Sequence, residues 1–184
     1  MLLRSYDNED HSDLLSDNFP LWGACRATSA ATSYFEPFTH GNLTFVDGAF
    51  SDSNPVSQVK IEAESLWSGR EMSIVSVGTG KAAGRSLKGN ALSLARTLAK
   101  LVTETENTAE RFYHSNKNMV DRGLYYRFTV DGLGAVGLGD YTKVDSIQAE
   151  TLGYLRQGFV GRELGRCVEN MLARTPTGTR TLPY

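Results

Sequence analysis

The sequence predicts an α/β domain with a largely parallel sheet, and three observations lead to this class. Short apolar runs alternate with longer segments of helical spacing, the pattern typical of strand–helix–strand units. The run MSIVSV at residues 72–77 is almost continuously apolar, as expected for a parallel strand buried on both faces. Tight turns follow two predicted strands, at Asp47 and at Gly78. The carboxyl edge of such a sheet is where α/β proteins gather functional side chains.

The first predicted helix is rich in small side chains. An apolar segment at residues 1–6 and an acidic loop precede it. Asp17 or Asn18 is its predicted cap, and Pro20 falls in its first turn, where the missing N–H costs nothing. The helix is predicted to run through LWGACRATSAATSYF, residues 21–35. Its alanine and serine side chains allow a close approach to a sheet.

The next strand, at residues 43–46, leads Asp47 into a tight turn. The stretch LTFVDGAFSDSNP ends in Asn54 and Pro55, which are predicted to cap and to begin the following helix. Two interpretations of the acid stay open from these residues. It is either a turn aspartate bonded to its own backbone or a functional carboxylate at the edge of the sheet.

The second half of the chain continues the alternation. Helical spacing of apolar residues predicts a helix over residues 91–102, after the strand at 72–77. Aromatic and β-branched content predicts a strand at 124–130. Helical spacing returns over residues 144–159, and the tail at 175–184, with two prolines, is predicted to be loose.

The composition excludes several classes of protein. The chain has 184 residues, a net charge of −2 and 40% hydrophobic residues, which suits one globular domain and gives no broad basic field for nucleic acid. No apolar run approaches the roughly 20 residues of a membrane span, and the first residues turn acidic, unlike a secretory signal. Cys25 and Cys167 fit no metal or redox spacing. We therefore expect a cytoplasmic protein without metal or cofactor, for which contact with a membrane surface stays open.

One glycine-rich turn partly resembles a phosphate-binding loop. Gly78, Gly80 and Lys81 follow a predicted strand. A P-loop needs a glycine five positions before its Gly-Lys pair and a hydroxyl after it, where this sequence has Val75 and Ala82. The glycines are therefore predicted to form the sharp turn after a buried strand.

A second glycine-rich turn has the formal spacing of a dinucleotide-binding motif. Gly132, Gly134 and Gly137 follow the predicted strand at 124–130. In a dinucleotide fold the last glycine lies within the start of a helix, whereas helical spacing here resumes only near Val144. A dinucleotide-binding domain is the less supported alternative.

Three blocks together resemble the second half of a patatin-like phospholipase domain. That family shows an Arg-Ala-Thr-Ser-Ala-Ala helix, an Asp-Gly-Gly or Asp-Gly-Ala turn followed shortly by Asn-Pro, and a Gly-Thr-Gly turn. The matching residues here are Arg26, Asp47, Gly48, Ala49, Asn54, Pro55, Gly78 and Gly80. The later segment LYYRFTV…IQAETLGYL is also similar, so the resemblance covers roughly residues 1–160.

The resemblance implies part of a three-layer α/β fold and a lipid acyl hydrolase with a Ser-Asp dyad. A carboxylate beside a serine can take the hydroxyl proton and so activate the nucleophile. Asp47 matches the family's base, and Gly48 is expected to let the backbone turn beneath it. Residues 1–165 would form the C-terminal part of the domain, and residues 166–184 the end of the last helix and the tail.

The family's nucleophile has no counterpart in these residues. Patatin-like domains carry it on a Gly-x-Ser-x-Gly elbow that precedes the three blocks, as does a glycine-rich oxyanion turn. No Gly-x-Ser-x-Gly occurs here, and the nearest segment is GRSLK at residues 84–88. We therefore expect the N-terminal strands and the elbow to be missing and the chain to be inactive alone. The alternative is a non-catalytic lipid-binding or interaction module built on the same remnant.

Overall fold

The computed structural model describes residues 2–4, 6, 8, 19–31, 34–81, 92–133, 136–137 and 140–174. The chain forms two compact units, one of Met1–Arg70 with Lys88–Phe112 and one of Glu71–Leu87 with Tyr113–Tyr184. The described residues contain one antiparallel and one parallel pair of strands among helices. The predicted α/β class is confirmed, and the parallel sheet among the described residues is small. The predicted cap at Asp17 or Asn18 and the predicted loose tail lie outside the described residues.

The first unit begins with helix α1 (Leu21–Thr28), which packs on a β-hairpin. The hairpin consists of β1 (Phe38–His40) and β2 (Leu43–Phe45) in antiparallel register. A Cβ atom at Gly23 would lie 3.4 Å from the ring of Phe38, so the small residue lets the helix approach the hairpin. The helix predicted over residues 21–35 ends at Thr28 in the structure.

The hairpin corrects one expectation about the sheet. The strand predicted at residues 43–46 does not join a parallel sheet but pairs antiparallel with β1. No sequence signal indicates β1 as a strand. Gly41 adopts φ +59° in the two-residue connection. That backbone conformation suits the tight turn of an antiparallel hairpin.

The segment after β2 holds two helices, α2 (Ala49–Asp52) and α3 (Val56–Leu66). The predicted capping of α3 by Asn54 is wrong, because Pro55 occupies the N-cap position without a side-chain cap bond. The buried Asn54 amide instead donates to the carbonyl oxygen of Thr105 at 3.3 Å. This amide thus ties the loop to α4 (Leu92–Ser115) within the first unit.

A buried ion pair anchors the N-terminal segment to α3. Arg4 donates from Nη2 to Oε2 of Glu62 at 2.8 Å, and Asn8 donates from Nδ2 to Oε1 at 2.9 Å. Ser65 donates to the Asn8 side chain at 3.0 Å. The Arg4 hydrogen bonds, followed by the Asn8 bond, lower the pKa of Glu62 to about 2 although burial opposes this shift.

The second unit is built around the parallel pair of β3 (Ile74–Val77) and β4 (Tyr125–Phe128). Helices α5 (Lys117–Asp121) and α7 (Gly158–Arg174) contact β4. The helix α6 (Val144–Leu155) precedes α7. The single helix predicted over residues 144–159 is therefore two, because backbone N–H groups just after α6 bond back to its last carbonyls and close it.

Two glycines fix the approach of β3 to the segment that follows β4. A Cβ atom at Gly78 would lie 2.5 Å from Thr129 Oγ1, and one at Gly80 would lie 2.5 Å from the Leu133 Cβ. Gly80 also adopts φ +113°, in the region that favours glycine. The Gly-Thr-Gly turn therefore has a packing reason within the second unit.

The Glu62 ion pair leads to a prediction about acid sensitivity. Its folded pKa of about 2 lies below the ordinary 4.5, so its stabilisation is complete above pH 4.5 and is lost as the pH falls towards 2. We expect urea unfolding measured across this range to show a flatter pH dependence for Glu62→Gln than for the wild type. Glu64→Gln, on the exposed side of the same helix, is the control and should follow the wild type. Parallel curves for Glu62→Gln and the wild type would contradict the assignment.

A substitution at Gly80 tests the close approach in the second unit. Gly80→Ala should lower the free energy of unfolding by about 2–4 kcal/mol, because it adds both backbone strain and a steric clash. Gly153→Ala, inside α6 where a Cβ atom meets nothing within 4 Å, should be neutral or stabilising by up to about 1 kcal/mol. Chemical denaturation of both variants gives the comparison. Equal unfolding midpoints would refute the packing role of Gly80.

Candidate active site

Asp47 lies two residues after the end of β2 and two residues before the start of α2, and two hydrogen bonds fix it there. Its backbone N–H donates to the carbonyl oxygen of Ala30, just after α1, at 3.0 Å. Its Oδ1 accepts the backbone N–H of Ala49, the first residue of α2, at 2.8 Å. The residue is half-buried. Both its backbone position and the direction of its carboxylate are therefore set by neighbouring elements.

The second carboxylate oxygen of Asp47 is available for chemistry. Within the part of the chain that the structure describes, Oδ2 has no hydrogen bond and no ion pair. The turn role that the sequence left open is thus real, but it uses only one oxygen. A carboxylate held through Oδ1 with Oδ2 unengaged can accept a proton from a hydroxyl placed beside it.

The geometry of Gly48 corrects the expectation that this residue is needed for a sharp turn. Gly48 has φ −61°, which any residue adopts, and a Cβ atom there would meet nothing within 4 Å. The bond from Ala49 to Asp47 holds the turn instead. Gly48 leaves open, exposed space next to the carboxylate.

Arg26 holds the loop that follows α1. Its Nη2 donates to the carbonyl oxygen of Glu36 at 2.6 Å, and its guanidinium lies 5.4 Å from the ring centroid of Phe35. Nη1 is buried and has no acceptor among the residues that the structure describes. Arg26 bonds Glu36 and the Asp47 backbone bonds Ala30, so both residues bond to the segment that follows α1.

The second glycine-rich turn does not have dinucleotide-binding geometry. Gly132 has φ +90°, and the N–H of Gly137 donates to Asp140 Oδ2 at 2.9 Å. Helix α6 begins at Val144, seven residues after Gly137, so the N-terminus of this helix does not lie at the glycine-rich turn. Gly134 lies outside the described residues.

The Cys167 thiol is buried and is not a catalytic candidate. Burial raises the pKa of the Cys167 thiol, which keeps it protonated and unreactive. Across residues 19–31, 34–81, 92–133 and 140–174, no three His, Cys, Asp or Glu side chains are placed to hold a metal ion. Across the same residues, no helix has both the length and the apolar character that crossing a bilayer requires.

The second unit also contains a cavity that no sequence motif indicates. Its volume is about 830 Å³, and it lies between β4 and helices α5 and α7. Asn170 Nδ2 donates to the Tyr126 hydroxyl at 2.6 Å and to the Gly123 carbonyl at 2.9 Å at its wall. No sequence signal could have found it, because these residues are far apart in the chain and only the fold brings them together.

Comparison with known proteins points to one family. Residues 1–60 match the family model described as patatin-like phospholipase. The chain is similar to calcium-independent phospholipase A2-gamma from Rattus norvegicus, 25% identical over 142 residues, and from Homo sapiens, 26% identical over 142 residues. Each alignment covers 76% of this chain and 18% of the relative, so the chain spans less than a fifth of their length. No solved structure matches this chain.

Two substitutions separate the turn role of Asp47 from any chemical role. Asp47→Ala removes the acceptor for the Ala49 N–H and should lower the free energy of unfolding by about 1 kcal/mol. Asp47→Asn keeps an oxygen acceptor and should stay within about 0.5 kcal/mol of the wild type. Urea titrations measure both values. Equal destabilisation by the two variants would show that the Oδ1 bond is not what holds the turn.

Proposed function

We propose that this member of the patatin-like phospholipase family contributes Asp47 as the base of a Ser-Asp dyad that hydrolyses lipid esters. The observation that carries the proposal is the carboxylate fixed through Oδ1 and open at Oδ2. The family match includes this residue, since it covers residues 1–60. The names of the curated relatives, calcium-independent phospholipases, agree with a lipid ester as the substrate class.

In this proposal Asp47 moves one proton in each half of the reaction. Oδ2 accepts the proton of a serine hydroxyl while the serine oxygen forms a bond to the acyl carbonyl carbon. The proton passes to the leaving alcohol oxygen as its bond to that carbon breaks, which leaves an acyl-serine. A water then attacks the acyl carbon while Asp47 takes a proton from the water. The bond between this carbon and the serine oxygen breaks, Asp47 returns the proton to the serine oxygen, and the fatty acid is released.

The serine must come from outside residues 1–184 in this proposal. A nucleophile elbow has the form Gly-x-Ser-x-Gly, which these residues do not contain. The acid and the nucleophile would then belong to different segments. We further propose a cytoplasmic protein that meets lipid at a membrane surface.

The first consequence is that residues 1–184 alone do not hydrolyse esters. With purified protein and p-nitrophenyl butyrate, we expect release of p-nitrophenol at the rate of buffer alone, because a base without a nucleophile forms no acyl intermediate. Hydrolysis above that rate that Asp47→Ala abolishes would place a nucleophile within these residues.

The second consequence is a gain of activity when the nucleophile is supplied. A chimera would join the Gly-x-Ser-x-Gly half of an active patatin-like hydrolase to residues 1–184. We expect ester hydrolysis by the chimera and a loss in kcat/KM of about 100-fold or more for Asp47→Asn. The matched control is Asp52→Asn, a second half-buried acid nearby on α2, which should keep the activity. A folded chimera that binds lipid without turnover would favour the non-catalytic module.

A further inference from the structure

We propose that the outer edge of β2 pairs with an added β-strand that runs parallel to β2 and ends in the turn carrying the nucleophilic serine. The inference rests on the proposed function in one respect, because the serine is taken to come from outside residues 1–184. It names the part of the first unit on which the serine-bearing segment docks and the direction in which its strand runs.

The outer edge of β2 carries backbone hydrogen-bonding groups that β1 does not use. In an antiparallel ladder, pairs of residues that exchange hydrogen bonds alternate with pairs that do not. The two-residue connection of the hairpin makes His40 and Leu43 a hydrogen-bonded pair. The next pair, Thr39 and Thr44, is therefore not hydrogen-bonded, so the N–H and C=O groups of Thr44 point away from β1. The same alternation turns the backbone groups of Val46 outward.

This edge is open within the part of the chain that the structure describes. There, the backbones of Thr44 and Val46 make no hydrogen bond to another element. Val46 is 49% exposed, and Thr44 is exposed as well. An exposed strand edge is a template for a further strand, because an extended chain offers donors and acceptors at the matching spacing.

The sequence of β2 lacks the features by which proteins protect an exposed edge. Such edges usually carry a charged side chain, a proline or a bulge. Residues 43–46 contain no charged residue and no proline, and the register with β1 has no bulge. By contrast, β1 follows directly after Glu36 and Pro37. An unprotected edge on β2 is what a strand needs if a further strand covers it in the working protein.

The position of Asp47 sets the direction of the added strand. Asp47 lies two residues after Phe45, the last residue of β2. A parallel neighbour brings its carboxyl end to this edge of the sheet, whereas an antiparallel neighbour brings its amino end. Adjacent strands lie about 4.8 Å apart, so a turn directly after a parallel strand comes within side-chain reach of Asp47. A nucleophile elbow is a turn of this kind.

A second copy of the chain fits this edge less well. Two identical edges related by a two-fold axis pair in antiparallel direction, which puts the two Asp47 turns at opposite ends of the paired strands. Such a pair brings no serine elbow to the carboxylate, since residues 1–184 contain no Gly-x-Ser-x-Gly. The serine-bearing segment is therefore the occupant that completes the candidate site.

Amide hydrogen exchange, measured residue by residue by NMR, tests the pairing without a substitution. The chimera that joins the Gly-x-Ser-x-Gly half of an active patatin-like hydrolase to residues 1–184 is compared with residues 1–184 alone. We expect exchange of the Thr44 and Val46 amides to slow by about tenfold or more in the chimera. The Thr39 amide, which points away from β2, is the internal control and should be unchanged. Unchanged exchange at Thr44 and Val46, or equal slowing at Thr39, would overturn the inference.

The two threonines of one cross-strand pair give a matched pair of variants. Thr44→Pro removes an N–H that points towards the added strand, and Thr39→Pro removes one that points away from it. Neither variant removes a hydrogen bond of the hairpin ladder. In the chimera, we expect Thr44→Pro to lower kcat/KM for p-nitrophenyl butyrate about tenfold or more relative to Thr39→Pro. Equal activities would overturn the inference. Circular dichroism checks that both variants fold, and hydrogen exchange of the unsubstituted chimera decides the question if either does not.

The outcomes distinguish this inference from the proposed function. Slowed exchange at Thr44 and Val46 without ester hydrolysis would support the docking edge and reject Asp47 as the base. Hydrolysis that depends on Asp47, without slowed exchange, would support the base and reject the docking edge. For residues 1–184 alone, exchange at Thr44 that slows as the protein concentration rises, with a dimer in analytical ultracentrifugation, would show that the edge pairs with a second copy instead.

Discussion

Two hydrogen bonds on one aspartate are the constraint on which the candidate site depends. The Asp47 backbone is bonded to Ala30 beyond α1, and its Oδ1 is bonded to Ala49 at the start of α2. Each bond satisfies a backbone group at the end of a helix, where such groups lack intrahelical partners. The same bonds orient the carboxylate before any substrate arrives. Under the proposed function, the arrangement that stabilises the turn also leaves Oδ2 to accept a proton.

The glycines of the two units serve different purposes. In the second unit, Gly78 and Gly80 are required because neighbouring side chains occupy the space of a Cβ atom, and Gly80 also has a positive φ. In the first unit, Gly48 has ordinary helical angles and open space around its Cα atom. Packing explains the first two residues completely.

A buried ion pair binds the N-terminal segment of the first unit to α3. Glu62 satisfies its charge with Arg4 and Asn8, so that the N-terminal segment is bound by polar contacts. Leu21 and Trp22, at the start of α1, are exposed.

The sequence by itself determined the features that arise from local spacing. Helical spacing predicted α3, a continuous apolar run predicted β3, and aromatic and β-branched content predicted β4, because each of these signals lies within a few residues of sequence. The motif around Asp47 indicated the family and the turn. Only the tertiary structure decided that β2 pairs with β1 and that Asn54 bonds Thr105, since both depend on partners that no local pattern names. It also decided which carboxylate oxygen is engaged, because that depends on where Ala49 places its N–H.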